Sequence, residues 1–207
     1  MRIDRKTARS RQLHIVPSVV HNPNRIEMDR FKHVDDKLTE QLNAIIDLAS
    51  DLSFEAKLTF ELNETIDYTL LGNLNFSGIY LIEIKTDPQR NYKEWLTEFK
   101  NEWEKEEFKK SFVPNLKVKR TIKHNQLDSW FPLYLGKSKA ISKRIKEHID
   151  LSLTQPTTSL KLKARKNLYG CEFRVSVVRV NVSNYDLIMP QLETLLRNRI
   201  NPILGRQ

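Results

Sequence analysis

Glu193 stands in a helical stripe otherwise made of Met189, Leu192, Leu196 and Ile200. A carboxylate on the apolar side of a helix is costly unless it is paired or holds a metal. Two readings are open: a helix-edge glutamate salt-bridged to an arginine, or the single acidic ligand of one Mg²⁺ whose shell is otherwise water and phosphate oxygens. Arg144 and His148 lie four residues apart, so on a helix they project to one side. Arg144 can hold two phosphate oxygens and counter transition-state charge, and its ordinary alternative is an exposed arginine. His148 can relay a proton or orient a water, and its alternative is a helix-surface histidine. Tyr80 and Tyr134 are amphipathic residues whose rings pack inside while their hydroxyls reach the surface. A tyrosine pKa near 10 leaves about one phenol in a thousand ionised at pH 7, and flanking cations such as Lys137 and Arg144 would lower that pKa by roughly 1–3. Tyr80 is the first choice of base and Tyr134 the second. Phosphodiester hydrolysis needs this set: a proton acceptor for water, positive charge for the phosphate and help for the leaving oxygen.

These residues must be positioned by a modest number of elements. Residues 1 to about 25 mix basic residues with Pro17 and Pro23 and read as an arm. Phe31, Val34, Leu38, Leu42, Ile45, Ile46 and Ala49 recur at helical spacing and predict a long amphipathic helix from Ile26 to Ser50, which would cover a sheet or form a dimer contact. Phe54 to Leu71 reads as further helix. A strand is expected over Asn75 to Ile84, a second over Trp130 to Gly136 and a third over Glu172 to Val182, with Arg174 and Arg179 on opposite faces. Between the first two strands lies a charged stretch whose Trp95, Phe99, Trp103 and Phe108 read as the core-facing stripe of an inserted helix. Ser138 is placed to cap a helix reaching Ile149, and Thr154 to Arg165 reads as a loop or short helix. A last helix is expected from Asp186 to Ile200, with Pro190 in its first turn and Asn201-Pro202 ending it. The expected fold is α+β: a small three-stranded antiparallel sheet flanked by helices, with a helical N-terminal extension over residues 1–72, a domain over 73–207 and an insertion at about 86–129.

The charge is unevenly spread. The 207-residue chain carries a net +9, and from Ser129 onward 14 Lys and Arg face 5 Asp and Glu, so the first 128 residues balance at 21 of each. A basic back half suits a polyanionic partner, with nucleic acid the default and a solvated basic surface the alternative. Lys139, Lys143, Lys161, Lys163, Arg165 and Lys166 are the candidate DNA contacts. A single cysteine, Cys171, excludes an internal disulfide framework. The five glycines stand singly and form no phosphate-cradling loop, so no nucleotide cofactor is expected, and the five histidines contain no HExxH pair. No apolar run approaches the ~20 residues of a membrane span, and the basic opening leads into no hydrophobic signal segment, so the expected place is the cytoplasm.

Gly78-Ile79-Tyr80 and Tyr134-Leu135-Gly136-Lys137, followed in order by Arg144, His148, Glu193 and Pro202, resemble the GIY-YIG nuclease family. The resemblance covers residues 75–207, apart from a long gap between the two tripeptides that makes residues 85–129 an insertion. It implies a Mg²⁺-dependent DNA endonuclease, with Mn²⁺ able to substitute, that leaves 5′-phosphate and 3′-hydroxyl ends. Tyr80, Tyr134, Lys137, Arg144, His148 and Glu193 would be its catalytic residues and Glu193 its metal ligand. Family members place an asparagine three residues after the proline, where this chain has Gly205, and Asn201 is the nearest asparagine able to replace it. A stand-alone chain of this size looks most like a type II restriction endonuclease acting on double-stranded DNA, with a homodimer as one option. A homing, mobile-element or repair nuclease, or an inactive DNA-binding protein that keeps the fold, are the alternatives.

Overall fold

The computed structural model describes residues 23–205, with side chains from residue 28 onward, so the expected arm lies almost wholly outside the described residues. The chain divides into two units at residue 42. The first holds most of helix α1 (Pro23–Asp51), on which Phe31, Val34 and Leu38 are exposed. The second unit holds the end of α1 and everything that follows.

In that second unit the segment read as further helix is a strand instead, β1 (Glu55–Glu61). Leu58 and Phe60 alternate with exposed neighbours and are buried, a two-residue period too short to stand out beside the apolar residues around it. Beyond it, side chains of Asn63 and Asp67 accept from the backbone N–H groups of Thr65 and Thr69, turning the chain where a helix was expected. Besides short 3-10 turns at Thr69–Asn73, Leu162–Ala164 and Lys166–Leu168, the other elements are β2 (Gly78–Lys85), α2 (Tyr92–Trp103), β3 (Asn115–Leu116), α3 (Val118–Thr121), β4 (Trp130–Ser138), α4 (Ile141–Asp150), β5 (Glu172–Arg179), α5 (Tyr185–Ile200) and β6 (Leu204–Gly205).

The fold is α+β. Its main sheet has four antiparallel strands, not three, in the order β1-β5-β2-β4, and a two-stranded β3-β6 ladder lies apart from it. On one face Tyr80, Ile82, Tyr134, Phe173 and Val175 pack with Ile141, Ile145 and Ile149 of α4 and with the aromatic residues of α2. On the other, Ile79, Leu81 and Leu135 pack with Met189, Leu192 and Leu196 of α5 and with Ala49. In β4 the pairing steps from Ile82↔Tyr134 to Glu83↔Pro132, so Leu133 is an extra, bulged residue.

Helix starts differ from expectation in two places. Ser138 accepts from the N–H of Ala140 inside a turn and does not cap α4, whose first residue is Ile141. In α5, which begins at Tyr185, Pro190 falls in the second turn. The aromatic stripe between β2 and β4 is core as expected: Asn91 caps α2, and Trp95 stacks on Phe99 with ring centres 5.2 Å apart. Phe108 lies past the end of that helix but is still buried.

Two candidate DNA contacts are part of this core. Arg165 is fully buried, its guanidinium 3.6 Å from the centre of the Trp103 ring, donating to the carbonyls of Leu160, Trp103 and Phe108. Burial pulls its pKa down to about 10. Lys161 is fully buried in a left-handed backbone conformation, φ 55°, and donates to the carbonyls of Leu153 and Gln155. Burial, with Arg165 adding to it, lowers its pKa. Neither side chain is able to reach a duplex, because both are spent on ordering the loops that a sequence reading left open. Arg165→Leu is expected to cost about 3 kcal/mol, since it orphans three buried carbonyls. Urea denaturation checks this, and a variant of normal stability with weakened DNA affinity would return Arg165 to the surface.

Candidate active site

β2 and β4 pair so that Tyr80 lies opposite Gly136 and Ile82 opposite Tyr134. A Cβ on Gly136 would come within 2.4 Å of the Tyr80 hydroxyl, and one on Gly78 within 2.2 Å of the carbonyl oxygen of Val178 on β5. The glycine in each tripeptide is therefore required by close approach, one for a side chain and one for a backbone.

The Tyr80 ring is buried against α4. Its hydroxyl lies 2.8 Å from His148 Nε2 and accepts from Arg144 Nε at 3.2 Å. The N–H of Leu160 donates to His148 Nδ1 at 3.1 Å. An amide only donates, so Nδ1 must carry a lone pair, and the ring proton sits on Nε2, directed at Tyr80. Histidine and arginine thus both donate to the phenol oxygen, leaving the phenol's own proton for a third acceptor. Burial, with Tyr134 adding to it, pushes the Tyr80 pKa above the ordinary range, while Arg144 works in the opposite direction. The two rings stack with centres 6.2 Å apart. Burial disfavours the Arg144 cation, but Tyr80 and Glu147 more than offset this and leave its pKa raised. Its guanidinium also donates to the carbonyl of Thr158 and pairs with Glu147 at 2.5 Å.

Because β4 is an edge strand, residues from both faces of the sheet meet along it in a cleft of about 290 Å³. Tyr80, Tyr134 and Arg144 line it from the α4 side, and Lys137, Glu193 and Arg197 from β4 and α5. Glu193 is mostly buried, with Oε2 3.3 Å from Lys137 Nζ and Oε1 bonded to Arg197. It is thus both a salt-bridged glutamate and a carboxylate facing a cleft. Arg120, on α3 between β2 and β4, closes the far side and donates to the carbonyl of Pro202 at 3.3 Å. Burial, and then Arg197 close by, lowers its pKa. The lining therefore carries four cations, Arg120, Lys137, Arg144 and Arg197, against Glu193 alone, which suits an anion.

Asn201 is not in this set. It caps the C-terminal end of α5 in a left-handed conformation, φ 53°, with its amide directed at the carbonyl of Arg199 and its own carbonyl accepting from His124. The space beside Gly205 is filled by Arg120 and Lys117, each 3.2 Å from where a Cβ would stand. The remaining basic candidates lie outside the cleft. Lys139 and Lys143 are exposed, the former beside Asp186 at 3.2 Å; Lys163 pairs with Asp150 at 3.0 Å; and Lys166 is exposed near Glu64. Sequence reasoning missed Arg120 and Arg197. The i,i+4 spacing of Glu193 and Arg197 was a signal for the second; nothing local marks the first.

Among the described residues no group of three or more His, Cys, Asp and Glu side chains stands ready to hold a metal, and no described helix is long and apolar enough to cross a membrane. No protein-family model, curated protein or solved structure matches the chain.

Gly136→Ala drives a methyl group into the Tyr80 hydroxyl. It is expected to lower stability by about 1–3 kcal/mol and to break the bond between Tyr80 and His148. Thermal denaturation and the ¹⁵N resonances of the His148 ring test this; an unshifted ring spectrum would contradict it.

Proposed function

We propose that the chain is a Mg²⁺-dependent endonuclease of double-stranded DNA, of the GIY-YIG kind and most like a site-specific type II restriction enzyme. The observation that carries this reading is one cationic cleft lined jointly by Tyr80, Tyr134, Lys137, Arg144 and Glu193, with His148 bonded to Tyr80 behind it. Residues as distant in sequence as Tyr80 and Glu193 converge there, in a combination that suits attack on a phosphate.

In this reading Tyr80 takes the proton of the attacking water. Burial keeps the phenol's own proton in place at rest, so the base is the phenolate formed when that proton leaves to solvent. The phenolate, once formed, meets two donors already in place, Nε2–H of His148 and Nε–H of Arg144. Leu160 contributes by fixing which histidine nitrogen carries the proton. Arg144 adds charge where the phosphate becomes crowded, and Lys137 and Arg197 move from Glu193 to phosphate oxygens when DNA enters. Glu193, the one carboxylate in the lining, fits a hard cation that keeps water and phosphate oxygens for the rest of its shell. Mg²⁺ held there supplies Lewis-acid charge to the scissile phosphate and the leaving oxygen.

Incubation with plasmid and genomic DNA plus Mg²⁺ is expected to give discrete fragments, and no cutting of any duplex with Mg²⁺ or Mn²⁺ would overturn the reading. Glu193→Ala is expected to lower single-turnover cleavage on the order of 10³-fold or more while DNA binding persists. Because burial raises the Tyr80 pKa, the ionised fraction below it grows tenfold per pH unit. The logarithm of the single-turnover rate should therefore climb with a slope of about one from about pH 6 to about pH 9, without a plateau. Tyr80→Phe should lose both the rate and the slope; if the slope survives, the base is another group.

A further inference from the structure

The insertion does more than close the cleft. Around α3 it gathers Lys117, Lys119, Arg120 and Lys123 within seven residues, and these line a groove of about 580 Å³ together with the amides of Asn198 and Asn201, with no acidic side chain in the lining. Arg120 lines this groove and the active-site cleft alike, so the two are neighbours. No ion pair among the described residues engages Lys117, Lys119 or Lys123. In the middle of this basic surface stand two branched apolar side chains, Val118 at 68% and Ile122 at 73% exposure. They are four apart, and the N–H of Ile122 bonds to the carbonyl of Val118, so they share one side of the turn. The segment is firmly held. The N–H of Lys117 donates to the carbonyl of Ile203, Tyr92 donates to the carbonyl of Thr121, and His124 donates to the carbonyl of Asn201.

A rigid, basic turn with an apolar tip, beside a site that takes phosphate, has the makeup of an element that grips a duplex and presses apolar side chains between base steps. We propose that residues 117–123 dock in the groove of the DNA beside the cut, Lys117, Lys119 and Lys123 on phosphates and Val118 with Ile122 as a wedge that bends the duplex. The cationic surroundings favour nucleic acid over a protein partner, since an apolar protein contact has no use for three unpaired lysines. This inference rests on the nuclease reading for its substrate but not for its test, which measures binding without chemistry.

The test uses the full chain with Ca²⁺ in place of Mg²⁺ and short duplexes labelled at both ends, reading affinity by anisotropy and bending by energy transfer. Val118→Ser/Ile122→Ser is expected to weaken binding at least about tenfold and to abolish the bend, while the salt dependence stays as in the natural protein. Lys117→Gln/Lys119→Gln/Lys123→Gln is expected to reduce the slope of log affinity against log salt by about 2.7, three phosphate contacts' worth. Circular dichroism checks that both variants fold. Variants that bind and bend DNA as the natural protein does would overturn the wedge and leave the nuclease standing. A natural protein that binds and bends DNA through this segment but never cuts would overturn the nuclease and leave the wedge. Natural protein that binds no duplex overturns both. Loss of a dimer in sedimentation when Val118 and Ile122 are replaced, with DNA binding unchanged, would reassign the tip to a second copy of the chain.

Discussion

Antiparallel pairing of β2 with β4 puts Tyr80 opposite Gly136, and the missing Cβ at Gly136 is what gives the tyrosine hydroxyl its place. Much of the site is referred to that one close approach. The hydroxyl is held where Arg144 and His148, one turn apart on α4, both reach it. His148 in turn is fixed by the backbone of Leu160, at the start of the loop that the buried Lys161 and Arg165 order. A strand register, a glycine, a helix face and a buried loop therefore converge on a single oxygen atom.

The edge position of β4 is the second constraint. An interior strand has neighbours on both sides, and the cores on its two faces are kept apart by the sheet. At an edge the two faces are joined around the strand, and Tyr134 from one core and Leu135 from the other border the same cleft. That is how Glu193, on a helix packed against one face, comes to share a space with Arg144, on a helix packed against the other. The segment between β2 and β4 and the C-terminal segment close this space together. β6 pairs with β3, the carbonyl of Pro202 takes Arg120, and Gly205 leaves room for Arg120 and Lys117. A longer side chain at Gly205 would compete with Arg120 and Lys117 for that room.

The local periods were legible. The helical stripes of α2, α4 and α5, the runs of β2, β4 and β5 and the i,i+4 relation of Arg144 to His148 follow from residue types alone, because helix and strand periodicities are backbone geometry. β1 was not legible, since two alternating apolar residues make a weaker signal than the apolar stretch around them; its place beside β5 is set by pairing across more than a hundred residues. Arg165 and Lys161 mislead for a related reason. A basic residue in a polar loop is normally solvated. Here the carbonyls that satisfy them come from Leu153, Gln155, Leu160, Trp103 and Phe108, and the most distant of these belong to the segment between β2 and β4.

The sequence by itself determined the α+β character, the two tripeptides, and the presence of two tyrosines, Lys137, Arg144 and Glu193 beside them, because residue type and short-range spacing carry that information. Only the tertiary structure decided that the sheet has four strands and that β4 is its edge. It also decided that Asn201 is a helix cap, that Arg120 and Arg197 stand in the cleft, and that His148 presents Nε2–H to Tyr80. Most of these depend on which distant groups the fold brings together, and partners tens of residues away leave no periodic trace in the chain.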